Sequence, residues 1–304
     1  MEKSKRNVES KAQAKVSESS ESTTGAIGVI STGFHGNELM YNPYTISVLK
    51  GILSTAYPRQ HNVTLFMLPW IDGDLMARRF YQTPIDGLIV LAPNIHTDLI
   101  ATFQDLGIPM VATSADAFDA GIPAVDTDDA RGAALATNHL IELGHKRIAH
   151  LAGTMSQGDA VTRRDTFFKV MAENGLDVPG DFMPETGFDA ANAYSDATRL
   201  LSMPERPTAI FAATDYIAYW TIHAARDLGI AVPGQLSVVG YDDAPISSES
   251  SPAITTVRQP LEEMGSRAAN LLFQLMSGMP VDVATELMPA ELIVRASTGP
   301  APVE

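Results

Sequence analysis

The chain has 304 residues, of which 45% are hydrophobic and 19% charged, with a mean hydropathy of +0.02 and no cysteine. This length and balance suit two halves or one large domain, and exclude a wholly disordered chain and a helical membrane protein, since no apolar run approaches the ~18–20 residues of a bilayer span. Without cysteine there is no disulfide, thiolate nucleophile or Cys-based zinc or iron–sulfur site, and a net charge of −15 repels phosphate backbones.

In chain order, residues 1–24 are rich in Ser, Lys and Glu and nearly free of large apolar side chains, which predicts a flexible tail or linker. A basic start is present but no apolar segment of a secretory signal follows it, so a cytoplasmic location is expected. From Gly25 onward, short Val/Ile-rich runs alternate with helical patterns. Strands are predicted at Ala26–Ile30, Val63–Leu68, Leu88–Leu91 and Met110–Ala112, with helices over Tyr44–Tyr57 and Arg131–Leu143. The alternation then repeats: strand Arg147–Leu151, helices 163–174 and 190–201, strand Ala209–Ala212, helix 215–228, strand Leu236–Val239 and helix 261–276. Gly107, Gly144, Gly175 and Gly229 fall where helices should stop. Runs apolar on both faces and separated by helices are the pattern of parallel strands covered on both sides. Two such arrays in succession predict an α/β protein of two doubly wound parallel-sheet lobes, with the ligand site in the cleft where strand carboxyl ends face each other.

Catalytic constellations are sparse. No G-x-S-x-G elbow, dinucleotide G-x-G-x-x-G, Walker loop or H-E-x-x-H occurs. His139, His145 and His150 lie close in sequence but fall on a helix, a turn and a strand, which suits capping and core roles better than a metal site. Asp126-Thr127-Asp128-Asp129 follows the apolar Ile122–Val125 stretch. A D-x-D pair after a strand would hold Mg²⁺ and offer a nucleophile, as in haloacid-dehalogenase-like phosphatases, but Ala130 stands where that motif needs Thr or Val. The alternative is an acidic helix N-terminus, favoured by the macrodipole. Asp72-Gly73-Asp74 reads as a turn. Asp242-Asp243, after an apolar strand, places paired carboxylates at the expected cleft, where they would accept hydrogen bonds from hydroxyls. No acid–base pair, cofactor motif or metal set emerges, and the chain is read as a non-enzyme.

Taken together, a series of phrases resembles the lactose-repressor/galactose-repressor (LacI/GalR) family of bacterial transcription regulators over roughly residues 25–300. They run in order: Ile27-Gly28-Val29-Ile30; Asp86-Gly87-Leu88-Ile89-Val90; Leu143-Gly144-His145-Lys146-Arg147-Ile148-Ala149; Pro207-Thr208-Ala209-Ile210-Phe211-Ala212; Leu236-Ser237-Val238-Val239-Gly240-Tyr241-Asp242-Asp243; Thr255-Thr256-Val257-Arg258-Gln259-Pro260; and Glu291-Leu292-Ile293-Val294-Arg295-Ala296 through Pro300. The resemblance implies a periplasmic-binding-protein-like pair of lobes joined by three crossings, the first holding 25–143 and 259–284, the second 144–258 and 285–304. It also implies a homodimer with a small effector, commonly a sugar, between the lobes, and operator DNA bound only through a helix-turn-helix headpiece, a pattern that residues 1–24 do not contain.

By position, the resemblance implies ligand contacts from Arg163, whose guanidinium would fork onto two hydroxyls or a carboxylate, and from Asp242 as an acceptor. Asp128 matches an acidic position at a helix start. Phe188 matches an aromatic that covers a sugar ring, with a core role as the alternative, and Tyr44 the aromatic after Asn42-Pro43. Thr214 stands where the family commonly has Asn, Trp220 where a small residue is usual, and residues 32–42 are longer than the usual loop. A stand-alone sugar-binding protein of the transport type is the alternative on the same fold.

Overall fold

The computed structural model describes residues 24–31, 42–67, 82–95, 99–115, 121–282 and 284–303. The predicted tail 1–24 (all but Thr24), the loop 32–42 (all but Asn42), Leu68 and the Asp72–Asp74 turn lie outside the described residues. The first sheet takes β1 (Ala26–Ser31), β2 (Asn62–Met67), β3 (Gly87–Leu91), β4 (Met110–Thr113) and β5 (Ala124–Thr127), with β10 (Thr285–Met288) returning from far along the chain. Their order is β10-β5-β4-β3-β1-β2, and every pairing is parallel. The second sheet has the order β11-β9-β8-β7-β6, from β6 (Ile148–Leu151), β7 (Ala209–Ala212), β8 (Ser237–Asp242), β9 (Thr255–Arg258) and β11 (Glu291–Ile293), of which only β11 runs antiparallel.

The continuous apolar strands are explained by what covers each face. In β3, Ile89 and Leu91 pack under α1 (Pro43–Ala56) and α8 (Leu261–Met276), while Leu88 and Val90 face α2 (Leu99–Asp105) through Phe103. The second sheet repeats the device. Ile210 and Ala212 of β7 pack under α5 (Ala190–Leu201) and α6 (Asp215–Asp227). Ala209 and Phe211 point the other way, toward α3 (Asp129–Glu142) and α4 (Gly158–Glu173). A short α7 (Pro245–Glu249) links β8 to β9.

Two expected boundaries move. Ala133, Ala136 and Leu140 of α3 pack against Ile148, Phe167 and Phe211, so α3 belongs to the second lobe and the first crossing falls at Asp128 rather than at 143. The small side chains of this helix stripe fit closely over the second sheet: a Cβ on Gly132 would lie 2.2 Å from the Tyr241 hydroxyl. At the other end, β10 pairs with β5, Met288 opposite Thr127, so 285–288 lie with the first sheet and the third crossing falls between β10 and β11. The middle crossing is at Gln259-Pro260, between β9 and α8. Helix 163–174 starts earlier, at Gly158, and the strand predicted at Leu236–Val239 runs from Ser237 to Asp242, which carries that carboxylate to the strand's end.

Candidate functional site

The carboxyl ends of both sheets face a common cleft, and the lobes touch across it where the Ile95 N–H donates to the Ser156 carbonyl at 2.9 Å. On the first-lobe side, Asn42 caps α1 by accepting from the Thr45 N–H at 3.1 Å, with Pro43 in the first turn. That cap sets Tyr44 over the end of β4, its hydroxyl 2.6 Å from Ser114 Oγ and 3.0 Å from Thr113 Oγ1. Burial pushes the Tyr44 phenol well above its usual range, so it stays protonated. Ala92 and Ser114, just past β3 and β4, have φ of 45° and 52°. Left-handed backbone at non-glycine residues is costly and is retained here at the cleft-facing strand ends.

On the second-lobe side the principal cation is Arg163, 2% exposed. Its Nε donates to Asp129 Oδ1 at 2.8 Å, Nη1 to the Ala213 carbonyl at 2.9 Å, and Nη2 lies 3.5 Å from Asp159 Oδ2, one helical turn earlier. The guanidinium also stacks over the Tyr241 ring, 3.8 Å from its centroid. Burial opposes the Arg163 charge, but Asp129 and then Asp159 outweigh it and hold the guanidinium protonated. Asp129 is pushed up to about 6, by burial above all. Asp128 caps α3 through the Arg131 N–H at 2.8 Å, the acidic helix start that the sequence offered, and the carboxylate that meets Arg163 is the next residue, Asp129.

Asp242 closes β8 with φ of 113° and accepts from Gln259 Nε2 at 2.7 Å, while burial pushes its carboxyl up to about 7. Asp243, φ 56°, is held by Arg258 at 2.7 Å and by Arg295. Burial acts against its charge, but these two guanidiniums win and keep its carboxyl below the usual range. The paired carboxylates of the sequence therefore have separate tasks: Asp242 faces the cleft and Asp243 binds the crossings together. Asp215, at the start of α6, is fully buried; burial and then the Asp242 charge push its carboxyl well above the usual range, and Oδ2 accepts the Ala244 N–H at 2.7 Å.

Thr214 caps α6, accepting from the Ile217 N–H at 3.2 Å. Phe188 is 37% exposed, so it is not a core residue; its ring covers Gly153, where a Cβ would come within 2.3 Å. Trp220 packs among Tyr194, Tyr219 and His223 on the α5–α6 side. His139 meets Thr298, His145 sits between Thr208 and Ser237, and His150 stacks on Phe211. Among the described residues no three His, Cys, Asp or Glu converge as a metal site. Asp159 and Gln259 escaped the sequence reading. The i,i+4 spacing of Asp159 and Arg163 was a usable signal, whereas nothing local marked Gln259.

A cavity of about 250 Å³ opens beside Asp242, lined among others by Ser47, Asp243, Gln259, Glu262 and Glu263. This arrangement of acceptors beside an engaged arginine suits recognition of a ligand rich in hydrogen-bond donors.

Comparison with known proteins agrees with this architecture. A periplasmic-binding-protein-like domain family matches residues 137–298. The HTH-type transcriptional repressor PurR of Pasteurella multocida (strain Pm70) is 32% identical over 282 residues, covering 90% of this chain and 81% of the relative. A LacI family transcriptional regulator from Enterococcus faecium with bound ribose superposes with a TM-score of 0.78 at 25% identity, covering 90% of this chain and 99% of that one. The lac repressor dimer bound to operator and the anti-inducer ONPF gives 0.79 at 25% identity, covering 94% and 98%. No helix among the described residues is long and apolar enough to cross a membrane. With two parallel-sheet lobes, three crossings and these relatives, the chain belongs to the periplasmic-binding-protein-like family as the effector-binding region of a LacI/PurR-type transcriptional regulator.

Proposed function

We propose that the cleft binds a small, hydroxyl-bearing, sugar-like effector, and that binding shifts the relative orientation of the lobes. The observation that carries this is the pair of acceptors Asp242 and Gln259, joined at 2.7 Å at the ends of β8 and β9 beside the cavity, together with the exposed Phe188 ring over Gly153 past the end of β6. Asp242 and Gln259 accept hydrogen bonds and the aromatic face covers the ring's apolar side. The ribose in the Enterococcus faecium regulator supports the same class. Arg163, Asp128, Thr214 and Tyr44 act mainly by holding the walls, since each already has intramolecular partners. As in the family, the chain works as a homodimer in the cytoplasm, with operator contacts made by a helix-turn-helix headpiece and not by this acidic body. Only a ligand with unequal affinity for two lobe orientations moves their populations.

A thermal-shift panel of sugars, sugar phosphates, nucleosides and purines, with recovery of the ligand, tests this. A ligand at about 100 times its Kd stabilises by ~2.7 kcal/mol. A sugar hit recovered unchanged and weakened by Asp242→Ala is the expected result. A hit recovered chemically altered overturns the regulator reading in favour of an enzyme, and a panel without sugar hits overturns the effector class.

A further inference from the structure

The 250 Å³ cavity at the middle crossing has a one-sided charge pattern. Among the described residues, Asp242, Asp243, Glu262 and Glu263 line it, and no Lys, Arg or His does. Three of these carboxylates have cations of their own: Asp243 has Arg258 and Arg295, Glu262 has Lys50 at 2.7 Å, and Glu263 has Arg267 at 3.0 Å. Asp242 has none within ion-pairing distance among the described residues, and its carboxylate rests on a single amide donor, Gln259 Nε2. Arg163, the nearest strong cation, is spent on Asp129, Asp159 and the Ala213 carbonyl.

A second observation is independent of the acidic residues. Gln259 is 5% exposed and lines the same cavity, yet its Oε1 is buried and accepts from nothing. A buried acceptor without a donor is costly, and native proteins rarely leave one unless a ligand or water completes it. Two residues of the cavity wall therefore carry acceptors short of a donor, the Asp242 carboxylate and Gln259 Oε1.

We propose that this corner of the cleft is an ammonium subsite, which selects an effector carrying a protonated amine and disfavours its phosphorylated or carboxylated counterparts. The proposal rests on the effector reading above and gives it a chemical class. An ammonium donates three hydrogen bonds and carries the charge that Asp242 lacks. A phosphate there would meet four carboxylates. Burial holds the Asp242 carboxyl near 7, and a cationic ligand would draw it back to the ionised form. The charges that bear on Asp242 are Arg163 and Asp159 from α4, Asp129 from α3, Asp215 from α6 and the adjoining Asp243.

The test is isothermal titration of the full chain, at low salt and pH 7.5, with matched sets on ribose and glucose: the neutral sugar, its primary amino-deoxy form and its phosphate. The expected result is an amino form bound at least tenfold more tightly than the neutral parent, and a phosphate bound more weakly than either. Asp242→Asn should bring the amino-to-neutral ratio toward one, a readout that a general loss of affinity does not produce. Should that variant bind too weakly to measure, the same ratio in the unaltered chain should collapse at pH 5, where Asp242 is protonated. Neutral sugars binding with no amine preference, or a phosphate preferred, would overturn the ammonium subsite and leave the effector reading intact. No binding by any member would overturn both.

Discussion

At the scale of single residues, Asp128 and Asp129 separate two uses of the same side chain. Asp128 satisfies one backbone N–H at a helix start, so Asp128→Ala should cost about 1 kcal/mol. Asp129 neutralises a guanidinium that is 2% exposed, and Asp129→Ala would leave that charge with only the longer ion pair to Asp159. Breaking a buried pair from one side costs ~3–5 kcal/mol, so urea unfolding should show Asp129→Ala as much the more damaging change. Equal costs would contradict the assignment of Arg163 to Asp129. Asp242 gives a prediction of opposite sign. Its folded pKa is raised to about 7 by burial, above the unfolded carboxylate's 3.8, so its ionisation weakens the native state as pH rises from about 4 to 7. Asp242→Asn should therefore stabilise the unliganded protein at pH 8, by about 1–4 kcal/mol, with the gain shrinking toward pH 4. A gain independent of pH would show that Asp242 is not the group titrating.

At the scale of elements, α1 and α8 meet through two glycines. A Cβ on Gly51 would lie 1.9 Å from the Glu262 carbonyl, and one on Gly265 2.0 Å from the Val48 carbonyl. Backbone cannot yield as a flexible side chain does, so either Gly→Ala change should force the helices apart and cost ~1–3 kcal/mol or more, against the small gain that alanine gives within a helix. A melting temperature unchanged in both variants would refute that close packing. The elements themselves were largely legible in sequence. Helices 190–201 and 261–276 have the bounds predicted from their apolar stripes, and the strand at Ala209–Ala212 likewise. What escaped was information held by partners distant in the chain. β10 exposes Glu286 and Leu287 at a sheet edge, so it shows no buried run, and its pairing with β5 spans about half the chain. The stripe of α3 looks the same whichever lobe it covers, and only its packing in the fold, Ala133, Ala136 and Leu140 on the second-lobe core and Gly132 against Tyr241, shows which. At the site, the resemblance points to Arg163 and Asp242 by position, whereas their partners Asp159 and Gln259 are set by folding.

At the scale of the molecule, the acid limit of stability should reflect His150. It lies in the second-lobe core, stacked 4.7 Å from Phe211 with Nδ1 2.9 Å from the Phe211 carbonyl, and burial lowers its pKa to about 4. The unfolded imidazole takes up a proton near 6.5, so this contribution is present above that pH and is lost as pH falls toward 4. Between pH 7 and pH 5 the protein should lose about 2 kcal/mol that a His150→Leu variant does not lose. An equal acid slope in both proteins would place the proton uptake elsewhere.

The central claim is that a small ligand in the cleft changes how the lobes are arranged, and a distance measurement tests it most directly. The chain has no cysteine, so Ser54→Cys on α1 and Ala172→Cys on α4, both exposed, would carry a single spin-label pair spanning the two lobes. Electron–electron dipolar spectroscopy would read the distance distribution with and without a sugar identified by thermal shift. The account predicts a displaced distribution on ligand addition, and its return when Asp242→Ala is added to the labelled chain. A distribution that stays unchanged at saturating ligand would contradict it, leaving a binding protein whose lobes carry no signal.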